Sequence, residues 1–181
     1  MENKLTTLLY AEHDNILKLK EIISKIDLLW EQDSKKYEDI LNTLIHFFRN
    51  YADKLHHHKE EDILFPALCD INPMLEQGIV DEMLEHHEIF RELIGSIETH
   101  LKQKEYASSY KELCKYFELL EDHIQVENNE LFPLAEDLLN SNEHEKLYFK
   151  AIDYHSENND LLKNLEEIFN TLKSYKDIAA K

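Results

Sequence analysis

Two stretches of the chain carry residues that could do chemistry, and they are copies of each other. The first reads His56-His57-His58-Lys59-Glu60-Glu61-Asp62-Ile63-Leu64-Phe65-Pro66, and the second His123-Ile124-Gln125-Val126-Glu127-Asn128-Asn129-Glu130-Leu131-Phe132-Pro133. In each, a His is followed four residues later by a Glu and then by Leu-Phe-Pro, so the blocks superpose at an offset of 67 residues, His56 on His123. Positions i and i+4 of a helix project from one face, so each block presents an imidazole and a carboxylate one turn apart. A further His precedes each block: Glu12-His13-Asp14-Asn15-Ile16 before the first and Glu85-His86-His87-Glu88-Ile89 before the second, each with an Ile three residues after the His. His13, His56, Glu60, His86, His123 and Glu127 thus offer four imidazoles and two carboxylates. Imidazole suits iron, zinc, nickel or copper, and carboxylates can bridge two cations while cancelling part of their charge. The set has the composition of a ligand shell for two metal ions, with open positions where water or a small ligand could bind.

Helices must position these residues. With two Gly and three Pro in 181 residues there is little to punctuate strands or tight turns, and long helices are expected. The first helix is expected from about Leu5 to Gln32, with His13 in an apolar stripe between Leu9 and Ile16. The second runs from near Ser34 through the first block, where Pro66 marks a kink or an end, to a turn at Asn72-Pro73. The third covers Met74 to Lys102 with Met83, His86 and Phe90 on its stripe, Gly78 and Gly95 weakening it without ending it. The fourth covers Ser108 to Leu139 and holds Glu127 within its stripe. A Glu there is telling, because Glu is almost never fully buried unless paired. Short connections make residues 1–140 an all-α, up-down-up-down four-helix bundle. At about 1.5 Å rise per residue the four His share one layer to within a turn. Residues 141–181 add a C-terminal helix, starting near Asn142 with a capping-box-like spacing to Glu145, that packs on the bundle or serves a homodimer or another protein partner.

Length and composition bound the class. A chain of this length is one domain's worth, and 43% apolar with 32% charged residues is ordinary for a globular protein. The net charge of −18 argues against a nucleic-acid partner and favours cations near the surface. Lys4, Glu12 and Asp14 break the first apolar run and no stretch approaches about eighteen apolar residues, so no membrane partner and a cytoplasmic location are expected. Cys69 and Cys114 are too few for a disulfide scaffold.

The register leaves alternatives. His87 replaces His86 if the third helix turns by one residue, and His57 with Glu61 replaces His56 with Glu60. The internal repeat favours His56 with Glu60, because Glu61 matches Asn128. His46, His100, His144 and His155 have no equivalent pairing and are expected at the boundary or surface. Glu plus Glu-x-x-His spacing of the ferritin type is absent. A helical interaction protein with a structural His/Glu network is the bland reading, and an iron storage or donor module a further one.

The single His, the His-x-x-x-Glu followed by Leu-Phe-Pro, and their repetition resemble the hemerythrin-like, or His-His-Glu cation-binding, domain over about residues 5 to 139. The resemblance implies a four-helix bundle with two iron ions bridged by two carboxylates and an oxo, hydroxo or water ligand, zinc being a substitute. It carries over His13, His56, Glu60, His86, His123 and Glu127 as ligands, and a small neutral gas, O₂ or NO, as partner. The oxygen carriers use a further His one turn before the third-helix ligand, where this chain has Met83. They also use a carboxylate five residues after the last His, where it has Asn128. The symmetric pattern is closer to the members that repair iron-sulfur clusters under stress.

Overall fold

The computed structural model describes residues 3–175; the ends of the two expected segments, 1–2 and 176–181, lie outside the described residues. Those described form helices and turns without a strand, and none of their helices is long and apolar enough to cross a membrane. The expected first helix is divided into α1 (Leu5–Leu17), α2 (Lys20–Lys25) and α3 (Leu29–Gln32). The chain tightens at the breaks, where Leu19 N–H bonds to Ile16 O at 3.0 Å and Leu29 N–H to Ile26 O at 3.2 Å, both three residues back. Such turns shift the helix phase, which lets neighbours Ile22 and Ile23 both enter the core. Leu28, at φ 54°, lies in the left-handed region before α3.

The second rod starts at α4 (Ser34–Phe47), capped by Asp33, whose carboxylate accepts from Lys36 N–H at 2.9 Å. It continues through wide, π-type turns over Phe48–His57 and Glu60–Leu64 into α5 (Phe65–Ile71). The fourth rod has the same design: α7 (Tyr106–Val126), a wide turn over Glu127–Leu131, then α8 (Phe132–Leu138). In both, the N–H of the Phe before proline reaches back five residues, Phe65 to Glu60 O and Phe132 to Glu127 O. Proline has no N–H to give and its ring crowds the carbonyl four residues back. A wide turn relieves that within a continuous rod, so Pro66 ends nothing.

The third rod departs at its start. After Pro73–Leu75 the chain makes an irregular turn over Glu76–Val80, with Gln77 and Gly78 outside helical geometry, and α6 runs from Asp81 to Lys102. Gly78 does interrupt the helix, whereas Gly95 lies within α6. The C-terminal segment is two helices, α9 (Ser141–Glu157) and α10 (Asn159–Ser174), broken at Asn158. Its cap falls two residues before the expected one. Asn140 accepts from Asn142 and Glu143 N–H at 3.0 and 3.1 Å, and Glu143 accepts from Asn140 N–H at 2.8 Å. α9 packs against α1, and α10 against α4 and the Phe48–His57 turns.

Two apolar clusters fill the bundle. The larger joins Ile16, Ile26, Tyr37, Leu41, Phe48, Phe90, Phe117 and Leu120. The smaller joins Leu5, Leu9, Leu64, Met83, Leu131 and Phe132. Between them lies a layer of buried polar side chains.

Candidate metal centre

Among the described residues, two groups of ligating side chains have donor atoms within 4.8 Å of one another. One is His13, His56, Glu60 and Glu127, and the other His57, His87 and His123. All seven are buried, none more than 1% exposed. Five of the six residues expected from the sequence lie in these groups. His86 does not: it is half-buried beside the second group, its Nδ1 3.3 Å from His123 Nδ1.

The placement of α6 explains the difference. Its buried face runs Met83, His87, Phe90, Ile94, Ile97, Leu101, alternating steps of four and three. The stripe through His86 and Leu93 has equal periodicity, and the Ile after His86 made it look like the copy of His13. But Ile89 is 41% exposed, whereas Ile16 and Phe90 are buried. The true copy of His13 is therefore His87, and the residue in register with Glu12 is His86.

His57 enters together with His56 and not in its place, although neighbours on a regular helix face apart by about 100°. The wide turns of Phe48–His57 admit both: His56 faces His13, and His57 stacks on His87 with centroids 3.7 Å apart. A run of three His before an acidic cluster was the available signal.

Glu60 and Glu127 tie the groups together. Glu60 places Oε1 3.3 Å from His56 Nε2 and Oε2 3.6 Å from His87 Nε2. Glu127 Oε2 lies 3.2 Å from both His13 Nε2 and His123 Nε2. Each carboxylate touches one imidazole from either group. Beyond each other and these imidazoles neither carboxylate meets a hydrogen-bond donor, and His57 has only Asp53 Oδ1, 3.5 Å from its Nδ1. Orphaned buried polar atoms are rare and costly.

The outer edges of the rings fix which nitrogen faces inward. His13 Nδ1 faces Asn128 Oδ1 at 2.8 Å, His56 Nδ1 faces Glu12 Oε2 at 2.9 Å, and His87 Nδ1 faces Glu61 Oε1 at 2.6 Å. Each outer partner is an acceptor, so each ring carries its proton outside and turns a bare Nε2 inward. Inside, His13 and His56 Nε2 stand 2.9 Å apart, and His87 and His123 Nε2 3.2 Å apart. Converging lone pairs and carboxylate oxygens repel unless a cation or carboxyl protons lie among them. Outer carboxylates or carbonyls that accept the far N–H are the usual supports of metal-ligating imidazoles.

Charge points the same way. Burial holds His13, His56, His57, His87 and His123 below the usual imidazole range, hence neutral, as a cation requires. Burial drives Glu60 and Glu127 well above the carboxylate range, and at Glu60 the charge of Glu127 adds to it. Without a cation the pair resists ionisation; cations would restore it and release protons. Glu12 is shifted up and Lys59 down by burial, and their mutual attraction opposes both shifts.

The model of the hemerythrin HHE cation-binding domain matches residues 4–135. The chain belongs to the hemerythrin HHE family. Searches of curated proteins and of solved structures return no match. The match covers the four rods that carry the buried layer, and the cluster of His and Glu fits a metal site of this cation-binding family. α9 and α10 lie beyond the matched part of the hemerythrin-type bundle. His155, on α9, nevertheless comes within 3.8 Å of Glu12 Oε1, and His144 is buried at the bundle edge.

Beside His57 is a cavity of about 20 Å³, lined by Phe48, Phe90, Ile94, Tyr116 and the Asp53–Arg91 pair. A volume of that order holds one water-sized molecule. Ile16, Phe48, Phe90 and Leu120 are all buried.

Proposed function

We propose that the protein holds two iron ions and binds or reacts with O₂ or NO at that centre. The observation that carries this is the bridging position of Glu60 and Glu127, each between an imidazole of one group and an imidazole of the other. One ion would be held by His13 and His56, the other by His87 and His123 with His57 beside them, and both carboxylates shared. His86 becomes the outer neighbour of His123. Seven nitrogen and carboxylate donors around two ions suit iron better than the four-coordinate geometry of structural zinc, although zinc accepts the same donors.

Reduced iron held by these residues would supply electrons and a site for a diatomic ligand. The protein supplies enclosure. The cavity beside His57 is mostly apolar and too small for an organic substrate, and buried Phe48 and Phe90 separate the centre from solvent. These features select a small uncharged molecule. Such chemistry suits gas sensing, detoxification or repair of iron-sulfur clusters.

Stopped-flow spectroscopy of the anaerobic, iron-reduced protein mixed with NO and with O₂ tests the reading. A spectral change with both gases, and persistent oxidation after O₂ is removed, is expected. Return of the starting spectrum on evacuation would mark a reversible carrier. No response to either gas, with iron bound, would overturn the gas reading in favour of iron storage or donation.

A further inference from the structure

Lys59 has no part in the reading above, yet it is fully buried. Its Nζ donates to Glu12 Oε1 at 2.7 Å, to Glu12 Oε2 at 3.0 Å and to Leu55 O at 2.6 Å. A lysine on a helix can usually extend its stem and keep the ammonium in water, and burying it costs several kcal/mol unless it is paired. Here the side chain turns inward to one carboxylate. That carboxylate, 7% exposed, is the acceptor for His56 Nδ1 at 2.9 Å.

The second copy of the block provides an internal comparison. With His13 matched to His87 and His56 to His123, Glu12 corresponds to His86 and Lys59 to Val126. His86 stands 3.3 Å from His123 on its outer side, as Glu12 stands to His56. Where the outer partner is an imidazole, the position of the lysine is apolar. Where it is a carboxylate, the lysine is present and bound to it.

We propose that Lys59 is a positioning residue for the metal centre: it holds Glu12 as the fixed acceptor that keeps the His56 proton on Nδ1 and leaves Nε2 bare toward His13 and Glu60. This rests on the metal reading of the site. An outer partner of this kind governs metal affinity by about 10–100-fold, so the lysine acts on one ion of the two.

The test compares wild type, Lys59→Met and the double variant Glu12→His/Lys59→Val, which gives the first copy the outer pair of the second. Two measurements are made on each: iron(II) titration against a competing chelator, and the ¹⁵N shifts of His56 in the metal-free protein. Lys59→Met should weaken one of two ions at least tenfold while retaining the other, and His56 should lose its single Nδ1–H form. The double variant should recover both ions to within about threefold of wild type, as the outer imidazole of the second copy stands without a lysine. Unchanged iron binding and unchanged His56 shifts in Lys59→Met, with only a lower melting temperature, would overturn the proposal. If Lys59→Met does not fold, the double variant decides: weakening of one ion as large as that expected for Lys59→Met overturns it. Wild type without bound iron would sink the metal reading, while the His56 shifts would still judge the role of Lys59.

Discussion

Glu12, Lys59 and Glu61 of the first copy stand where the second has His86, Val126 and Asn128, and His57 stands where it has Ile124. The inner set is the same in both: His13 and His87, His56 and His123, Glu60 and Glu127. The copies also cross, because His13 leans on Asn128 of the second while His87 leans on Glu61 of the first. Repetition has thus kept these six inward residues and varied those behind them, with His57 an inward addition of the first copy alone. The His13/His56 half has two imidazoles and an outer ion pair sealed in the core. The other half has three imidazoles, the cavity, and an outer carboxylate clamped by Arg91, whose Nη2 lies 2.7 Å from Glu61 Oε1 at about one-third exposure. Two ions held this way would be inequivalent even with both carboxylates shared between them.

The largest effect should come from breaking what the halves share. Glu60→Ala and Glu127→Ala each remove a carboxylate that touches both groups, and each variant should lose both ions, read as metal content after reconstitution. Loss of one ion with full retention of the other would mean that the carboxylate serves one half alone. Changing the outer position of one half should do less. Glu61→Ala leaves His87 Nδ1 without its acceptor and should weaken one ion by about tenfold, measured by competition with a chelator.

His57→Ile gives the first copy the residue of the second and sharpens the comparison further. The ion of the His87 half should bind more weakly and change its absorption spectrum, with the His13 half unaffected. An unchanged spectrum would reduce His57 to a stacking partner of His87.

The metal-free protein should also show the strain of the shared carboxylates through pH. Folded Glu60 and Glu127 keep their protons well above the ordinary value of 4.5, so the native state binds more protons than the unfolded chain until their raised values are passed. Stability therefore falls as pH rises through that window. The buried imidazoles act oppositely below their ordinary value of 6.5, where the unfolded chain takes up protons that the folded one refuses. Above that value the raised carboxylates, Glu12 with them, lower stability, and the downshifted Lys59 opposes them only as pH climbs toward its ordinary value of 10.5. Melts of metal-free protein should decline from about neutral pH upward, and Glu60→Gln/Glu127→Gln should flatten the decline. A metal-free melting temperature that rises over this range would contradict the placement of the pair.

The smallest effect lies outside both copies. Leu28, half-exposed at φ 54°, is held where side chains other than Asn, Asp or Gly cost about 1–2 kcal/mol. Leu28→Asn should raise stability by up to about 1 kcal/mol in thermal melts and leave metal affinity alone. A change in metal affinity would show that the breaks in the first rod feed into the centre.

Much of this was legible in the sequence because periodicity and repetition reported the same face. Leu9, His13 and Ile16, or Leu120, His123 and Glu127, fall on one stripe whichever way the helix is drawn, and burial follows. Reading failed where two stripes were equally apolar. Leu93 and Ile94 are interchangeable in pattern, so His86 against His87 depends on how α6 seats against α7, a tertiary fact. It failed again where the backbone left α-geometry. The wide turns over Phe48–His57 admit His57 beside His56, and no pattern of period 3.6 anticipates two adjacent inward residues. The outer partners Glu12, Glu61 and Asn128 were invisible for a related reason: each serves a His on another rod, and sequence spacing says nothing about contacts across a bundle.

Anomalous diffraction at the iron edge, from crystals of protein reconstituted with iron, tests the two-ion centre most directly. Two peaks are expected, one beside His13 and His56 and the other beside His87 and His123, both in contact with Glu60 and Glu127. A single peak at full occupancy, or none after careful reconstitution, would contradict it.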